Sequence, residues 1–149
     1  MGYYMRYITT TSNIPTLDAI RSSLQTMDTH YRLTSVEPSE MSAELFFDEA
    51  IVGELDINMR GDGLFDEEIK ELRDFVEHDA IGDRAPVLAA LTEATAIIAV
   101  RVLWGERDTE TTMALLDPLW SWLLEHYSGL LQADSEGYYD GSGLILEVS

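Results

Sequence analysis

The sequence predicts an α+β fold, a largely antiparallel sheet of seven or eight strands with helices packed on one face. Three observations carry this expectation. Apolar residues recur at spacings of three and four in some segments, alternate singly in others, and fill one run near the middle of the C-terminal half almost without a break. The 149 residues suit one domain, 1–149, and 46 % hydrophobic residues with 9 % aromatics are enough for a sizeable core.

The elements follow in order. Tyr3 to Thr10 is rich in aromatic and β-branched residues and reads as a strand, and Asn13 with Pro15 marks its junction with a helix. Leu17, Ile20, Leu24 and Met27 then place one apolar stripe on a helix of about four turns. A strand is expected around Tyr31–Val36, then a loop at Glu37-Pro38-Ser39-Glu40. Ala43, Leu45 and Phe47 alternate with Glu44, Phe46 and Asp48, and Ile51, Gly53, Leu55 and Ile57 alternate with Val52, Glu54, Asp56 and Asn58, so the two segments read as a hairpin.

Arg60-Gly61-Asp62-Gly63 breaks that strand, because two glycines beside an aspartate supply the backbone of a tight connection. Phe65, Ile69, Leu72 and Val76 keep helical spacing, and Asp66, Glu67 and Glu68 crowd the start of this helix, where the macrodipole favours anions. Gly82-Asp83 separates it from a shorter helix near Pro86–Ala94. Ala96 to Trp104 is nearly all apolar, as a strand buried on both faces would be. Met113, Leu116, Trp120, Leu123 and Tyr127 form the last helical stripe, and Pro118 is expected to kink that helix or restart it. Short strands near Leu130–Ala133, Gly137–Asp140 and Leu144–Val148 complete the chain.

The two ends share an order of motifs. His30-Tyr31 answers His126-Tyr127, and Phe46-Phe47-Asp48 answers Tyr138-Tyr139-Asp140, with spacings of 16 and 12 residues that need a gap at the Pro38 loop. This suggests a duplicated β-α-β-β unit, ferredoxin-like halves at 3–58 and 96–148 joined by a helical segment 64–94. A ligand cleft would then lie between the halves.

Charge bounds the function. The chain carries 28 acidic and 9 basic side chains, a net charge of −19, and residues 37–83 hold 16 of the acids against Arg60, Lys70 and Arg73. Such a field repels phosphate backbones and anionic membranes, so neither nucleic acid nor a membrane is expected as partner. A basic protein partner or a divalent cation is favoured. The absence of cysteine excludes a disulfide scaffold, a thiolate nucleophile and an iron–sulfur site. The first residues lack the basic and apolar regions of a secretory signal, and a cytoplasmic setting is expected.

Candidate chemistry is sparse. His30, His78 and His126 have no partner at the i, i+4 spacing of a helical metal pair, and His30 and His126 read as helix-end residues. Glu54 and Asp56 project from one strand face toward Asp62, a set that suits Mg²⁺ or Ca²⁺ or paired acid and base work. Arg60-Gly61-Asp62-Gly63 is neither a P-loop nor a dinucleotide fingerprint, and no nucleophile elbow occurs. Trp122 lies off the core stripe of its helix, so that helix is either deeply buried or offers an aromatic face. Trp122, Tyr138 and Tyr139, with the acids Glu67 and Glu71, are the candidate partner contacts, since aromatic anchors dominate binding hot spots.

The runs Gly-Asp-Gly-Leu-Phe-Asp-Glu-Glu-Ile-Lys-Glu-Leu (61–72), Asp-Pro-Leu-Trp-Ser-Trp-Leu (117–123) and Gly-Leu-Leu-Gln-Ala-Asp-Ser-Glu-Gly-Tyr-Tyr-Asp (129–140) cover about a fifth of the chain. They resemble segments of small acidic bacterial α+β proteins of unassigned function. The resemblance implies a bacterial cytoplasmic setting and no activity or site. The expected function is a non-enzymatic acidic module of inhibitor, immunity or adaptor type, without a cofactor, that docks a basic protein or a second copy of itself as a homodimer. The alternative is a divalent-metal-dependent enzyme or small-ligand binder using Glu54, Asp56 and Asp62 with Mg or Ca.

Overall fold

The computed structural model describes residues 2–37 and 40–148, so Pro38 and Ser39 of the expected loop lie outside the described residues. The chain runs β1 (Tyr3–Thr9), α1 (Leu17–Met27), β2 (Tyr31–Ser35), β3 (Ser42–Phe47), β4 (Ala50–Met59), α2 (Gly63–Asp79), β5 (Ala80–Ile81), α3 (Ala85–Glu93), β6 (Ala96–Val102), α4 (Thr109–His126), β7 (Gly129–Ala133), β8 (Gly137–Asp140) and β9 (Gly143–Val148). The strands form one sheet in the order β2-β3-β4-β6-β1-β7-β8-β9-β5, every pairing antiparallel. This is the expected α+β class. The ninth strand is β5, whose two residues pair with the end of β9 and are too few to show a strand period.

β6 organises the layers. It lies between β4 and β1, and all its residues except Arg101 are buried. Ile98, Val100 and Val102 face a core with Met5 and Tyr7 of β1, Leu55 and Ile57 of β4, and the stripes of α1 and α4. Ile97 and Ala99 face a second core with Ile8, Phe65, Leu72, Val76, Val87 and Leu91, supplied by β1, α2 and α3. The helices therefore cover both faces, two on each, which corrects the expectation of one covered face. A strand apolar on both sides cannot leave either side in water, at about 25 cal/mol for each Å² of apolar surface.

The helices start where their sequences cap them. The side chains of Thr16, Asp62 and Asp108 accept from the backbone N–H groups of Ala19, Leu64 and Thr111 at the starts of α1, α2 and α4. α4 continues through Pro118 as one helix and does not restart there. One turn earlier, the Tyr31 hydroxyl donates to the Leu115 carbonyl at 2.7 Å, tying β2 to this part of α4. At the outer edge of the sheet, Arg21 Nε donates to the Leu33 carbonyl at 2.8 Å, which occupies a group that an exposed edge strand would offer to another chain.

The element order β-α-β-β-β occurs twice, but the strand order does not repeat with it. β4 pairs with β6, and a two-fold relation carrying β6 onto β1 would bring β9 beside β1, where β7 lies instead. Between β4 and β6 the chain forms α2 and α3, packed together on the second face.

Gly129 opens β7 so close to β1 that an added Cβ would fall inside contact distance of the Ile8 carbonyl oxygen. Gly129→Ala is expected to push β7 from β1 and lower the melting temperature, whereas Gly141→Ala, where a Cβ meets open space, leaves it unchanged. Thermal unfolding followed by circular dichroism checks the contrast.

Candidate functional site

The second face of the sheet changes character row by row. Ile8, Ile97 and Leu130 form one cross-strand row under the helices. In the next row Arg6 lies between Ala99 and Gln132, and beyond it Tyr4 pairs with Arg101, which pairs with Glu54. The row under the helices is apolar, the Arg6 row, which Glu68 of α2 still reaches, is the first to carry a charge, and the row beyond it is polar.

At the boundary lies a cleft of about 750 Å³ between α2 and the ends of β1, β7 and β8. Arg6 occupies its floor, with Nε 2.7 Å from Glu68 of α2 and one terminal nitrogen 2.8 Å from both Gln132 and Asp134. Asp134 also accepts from the Tyr4 backbone N–H at 3.0 Å, and Glu68 accepts from Asn58 at 3.2 Å. Burial works against the Arg6 charge, but the hydrogen bond to Glu68 and the fields of Asp134 and Glu68 outweigh it, so the guanidinium is held above its ordinary pKa. Tyr4 lies against it, with the Arg6 Cζ 5.1 Å from the ring centroid.

The walls are aromatic. Phe75 of α2 is 47 % exposed, and Trp104 packs its ring 5.6 Å from that of Tyr3. The Tyr3 hydroxyl donates to Glu136, and Tyr139 donates to the other oxygen of the same carboxylate at 2.7 Å. That hydrogen bond, with burial, pushes the Tyr139 phenol up to about 12. Glu71, one turn beyond Glu68, lines the cleft, and its carboxylate makes no hydrogen bond or ion pair with the described residues.

The residues expected from sequence fall into different places. Tyr138 is 2 % exposed and belongs to the second core, where it packs under α2 and forms part of the inner lining of the cleft. Trp122 is half-buried against the first core, its ring 5.5 Å from Tyr127 and 5.6 Å from His126. Tyr139 is half-buried on that same core, while Glu67 and Glu71 are exposed on α2. Glu54 is 2.7 Å from Arg101, Asp56 accepts from the Ser42 hydroxyl, and Asp62 caps α2, so these three serve separate neighbours. Among the described residues no three histidine or carboxylate side chains converge to hold a metal.

The histidines stay with their own helix ends. His126 and His78 engage the carbonyls of Trp122 and Asp74, at 3.0 and 2.8 Å, one turn back. His30 sits 2.5 Å from Asp28 just after α1. Among the described residues no helix is long and apolar enough to cross a membrane.

Sequence reasoning missed Arg6, Tyr4, Asp134, Trp104 and Phe75. Two signals pointed toward them. Arg6 is a lone cation in an aromatic and aliphatic strand, and Leu64, Glu68, Glu71 and Phe75 form a second stripe beside the core stripe Phe65, Ile69, Leu72 and Val76. No protein-family model, no curated protein and no solved structure matches the chain.

Arg6→Ala would leave Glu68 and Asp134 facing each other without their shared cation, and is expected to cost about 2 kcal/mol or more in a denaturant titration. A second expectation concerns pH. The hydrogen bond that the imidazole donates to Asp28 and the field of Asp48 raise the His30 pKa above the ordinary 6.5, so the contribution of this pair is fully present below that value and is lost as pH rises through the raised one. An NMR titration of the imidazole should show this, and Asp28→Asn should return it toward the ordinary value.

Proposed function

We propose that this chain is a non-enzymatic acidic binding module that docks a basic surface of another protein, in the manner of an inhibitor, immunity or adaptor protein. One observation carries the reading: each arginine is engaged by a group of the molecule itself, while most carboxylates have no cationic partner among the described residues. Arg60, Arg84 and Arg107 donate to backbone carbonyls, Arg21 to one as well as to Asp18, and Arg73 to a threonine hydroxyl. Arg32 lies over the Phe46 ring, 4.3 Å from its centroid. Among the described residues only Asp18, Glu54, Glu68 and Asp134 pair with an arginine, against 28 acids in the chain.

The outward field is therefore left for something else to neutralise. α2 concentrates it, since Asp66, Glu67, Glu71, Asp74 and Glu77 are exposed on that helix beside the exposed Leu64 and Phe75. An anionic surface with apolar anchors steers a cationic partner into contact and then retains it. Like charge on the same face opposes a self-docked pair, which favours a basic protein over a homodimer.

The test is affinity capture followed by association kinetics with the purified partner at low and high salt. The partner should be basic, and its association rate should fall steeply as salt screens the field, while dissociation changes less. Association indifferent to salt, or a partner without a basic surface, would overturn the reading.

A further inference from the structure

We infer that the cleft between α2 and β1, β7 and β8 receives an arginine side chain of the basic partner, held between aromatic walls and the carboxylate of Glu71. The inference rests on the docking reading and adds to it the place and the residue type that are recognised.

Charge complementarity selects the occupant. Glu68, Glu71 and Asp134 line the cleft with one guanidinium, Arg6, which is already bonded to two of the three. An anion entering here would meet the unmatched Glu71 and find no free cation among the described lining residues. An uncharged apolar group would desolvate Glu71 without supplying a hydrogen bond, which is unfavourable. A cation satisfies that carboxylate and gains the faces of the aromatic walls, where ring quadrupoles attract positive charge.

Shape selects arginine over lysine. The walls include Tyr4, Phe75 and Trp104, and a planar guanidinium stacks on such rings while donating in its own plane to a carboxylate. Arg6 already displays this chemistry on the floor, its guanidinium over the Tyr4 ring and between two carboxylates. The Phe75 exposure of 47 % has the same account: a phenyl ring at the mouth of a polar cleft covers the methylene stem of an inserted side chain. The volume of about 750 Å³ admits one long side chain together with the backbone that carries it.

The experiment titrates the full ¹⁵N-labelled chain with a blocked Gly-Ser-Arg-Ser-Gly peptide and with its citrulline counterpart, which keeps the shape and removes the charge. Shifts are expected at the amides of Tyr4, Glu71, Phe75 and Asp134 and at the Trp104 indole, and the citrulline peptide should lose them. Glu71→Gln should weaken the arginine peptide about tenfold, as removal of a charged hydrogen-bond partner does, and Phe75→Ala should weaken it as well. Glu67→Gln, on the same helix but outside the cleft lining, is the control for general charge. Both glutamates are exposed, so the variants should keep the parent spectrum elsewhere.

Two results would overturn the inference. Shifts spread over the outer carboxylates, with Glu67→Gln as damaging as Glu71→Gln, would mean attraction by the overall field, and the docking reading would stand without the cleft. Absence of any shift with the arginine peptide would remove the cleft too. The docking reading itself fails only on the salt dependence of the purified partner, so the two failures are told apart.

Discussion

The constraint on which the rest of the molecule depends is that β6 is apolar on both faces and sits in the middle of the sheet. Each face of such a strand must be covered, and the chain meets this with two helix pairs that arrive from different directions. α1 and α4 belong to the connections within the two strand sets and fall on one face. α2 and α3 occupy the connection between the sets and fall on the other. The cover on that second face stops where β6 itself turns polar, at Arg101, in a row that Tyr4 and Glu54 share, and Arg6 of β1 turns polar one row earlier, beside Ala99. The cleft is the line along which covering ends. Its location thus follows from the extent of one apolar run.

Electrostatics act on top of this frame. A chain with 28 acids and 9 bases cannot neutralise itself, and the way it spends its few cations decides what its surface looks like. Four of the eight arginines, Arg21, Arg60, Arg84 and Arg107, satisfy backbone carbonyls at helix ends, strand ends and the sheet edge, where a rigid fork of donors holds geometry better than a flexible ammonium. Arg6 is the exception with two carboxylates, and it joins β1, α2 and the β7–β8 turn through one guanidinium. Arginines engaged in this way leave most carboxylates without a cationic partner among the described residues. Structural economy and an anionic exterior are therefore two sides of one arrangement.

The aromatic residues divide in the same way. Tyr7 and Tyr138 are buried in opposite cores, and their phenol groups are pushed up, to about 12 for Tyr7, because burial disfavours the phenolate. Tyr3, Tyr4, Phe75 and Trp104 meet at the cleft although they come from a strand, a helix and a loop. Along the chain Tyr138 reads as a partner contact, and only the packed core shows it buried. Only the packing of separated segments assembles the second group.

The sequence by itself determined the local structure, because local structure has a period. The three- and four-residue spacing of Leu17, Ile20 and Leu24, or of Phe65, Leu72 and Val76, is the geometry of a helix with one buried side, and the alternation of Leu45, Leu55 and Ile57 with polar neighbours is that of a strand. It also marked β6 as doubly buried and Glu54 and Asp56 as sharing a face. It did not reveal which face each helix covers, since an amphipathic stripe says only that it must be buried, not against what. The tertiary structure alone decided that Tyr138 points inward, that Glu54, Asp56 and Asp62 serve three different neighbours, and that Arg6, Glu68 and Asp134 converge from positions far apart in the chain. Those meetings depend on long-range register, and no period in the sequence encodes it.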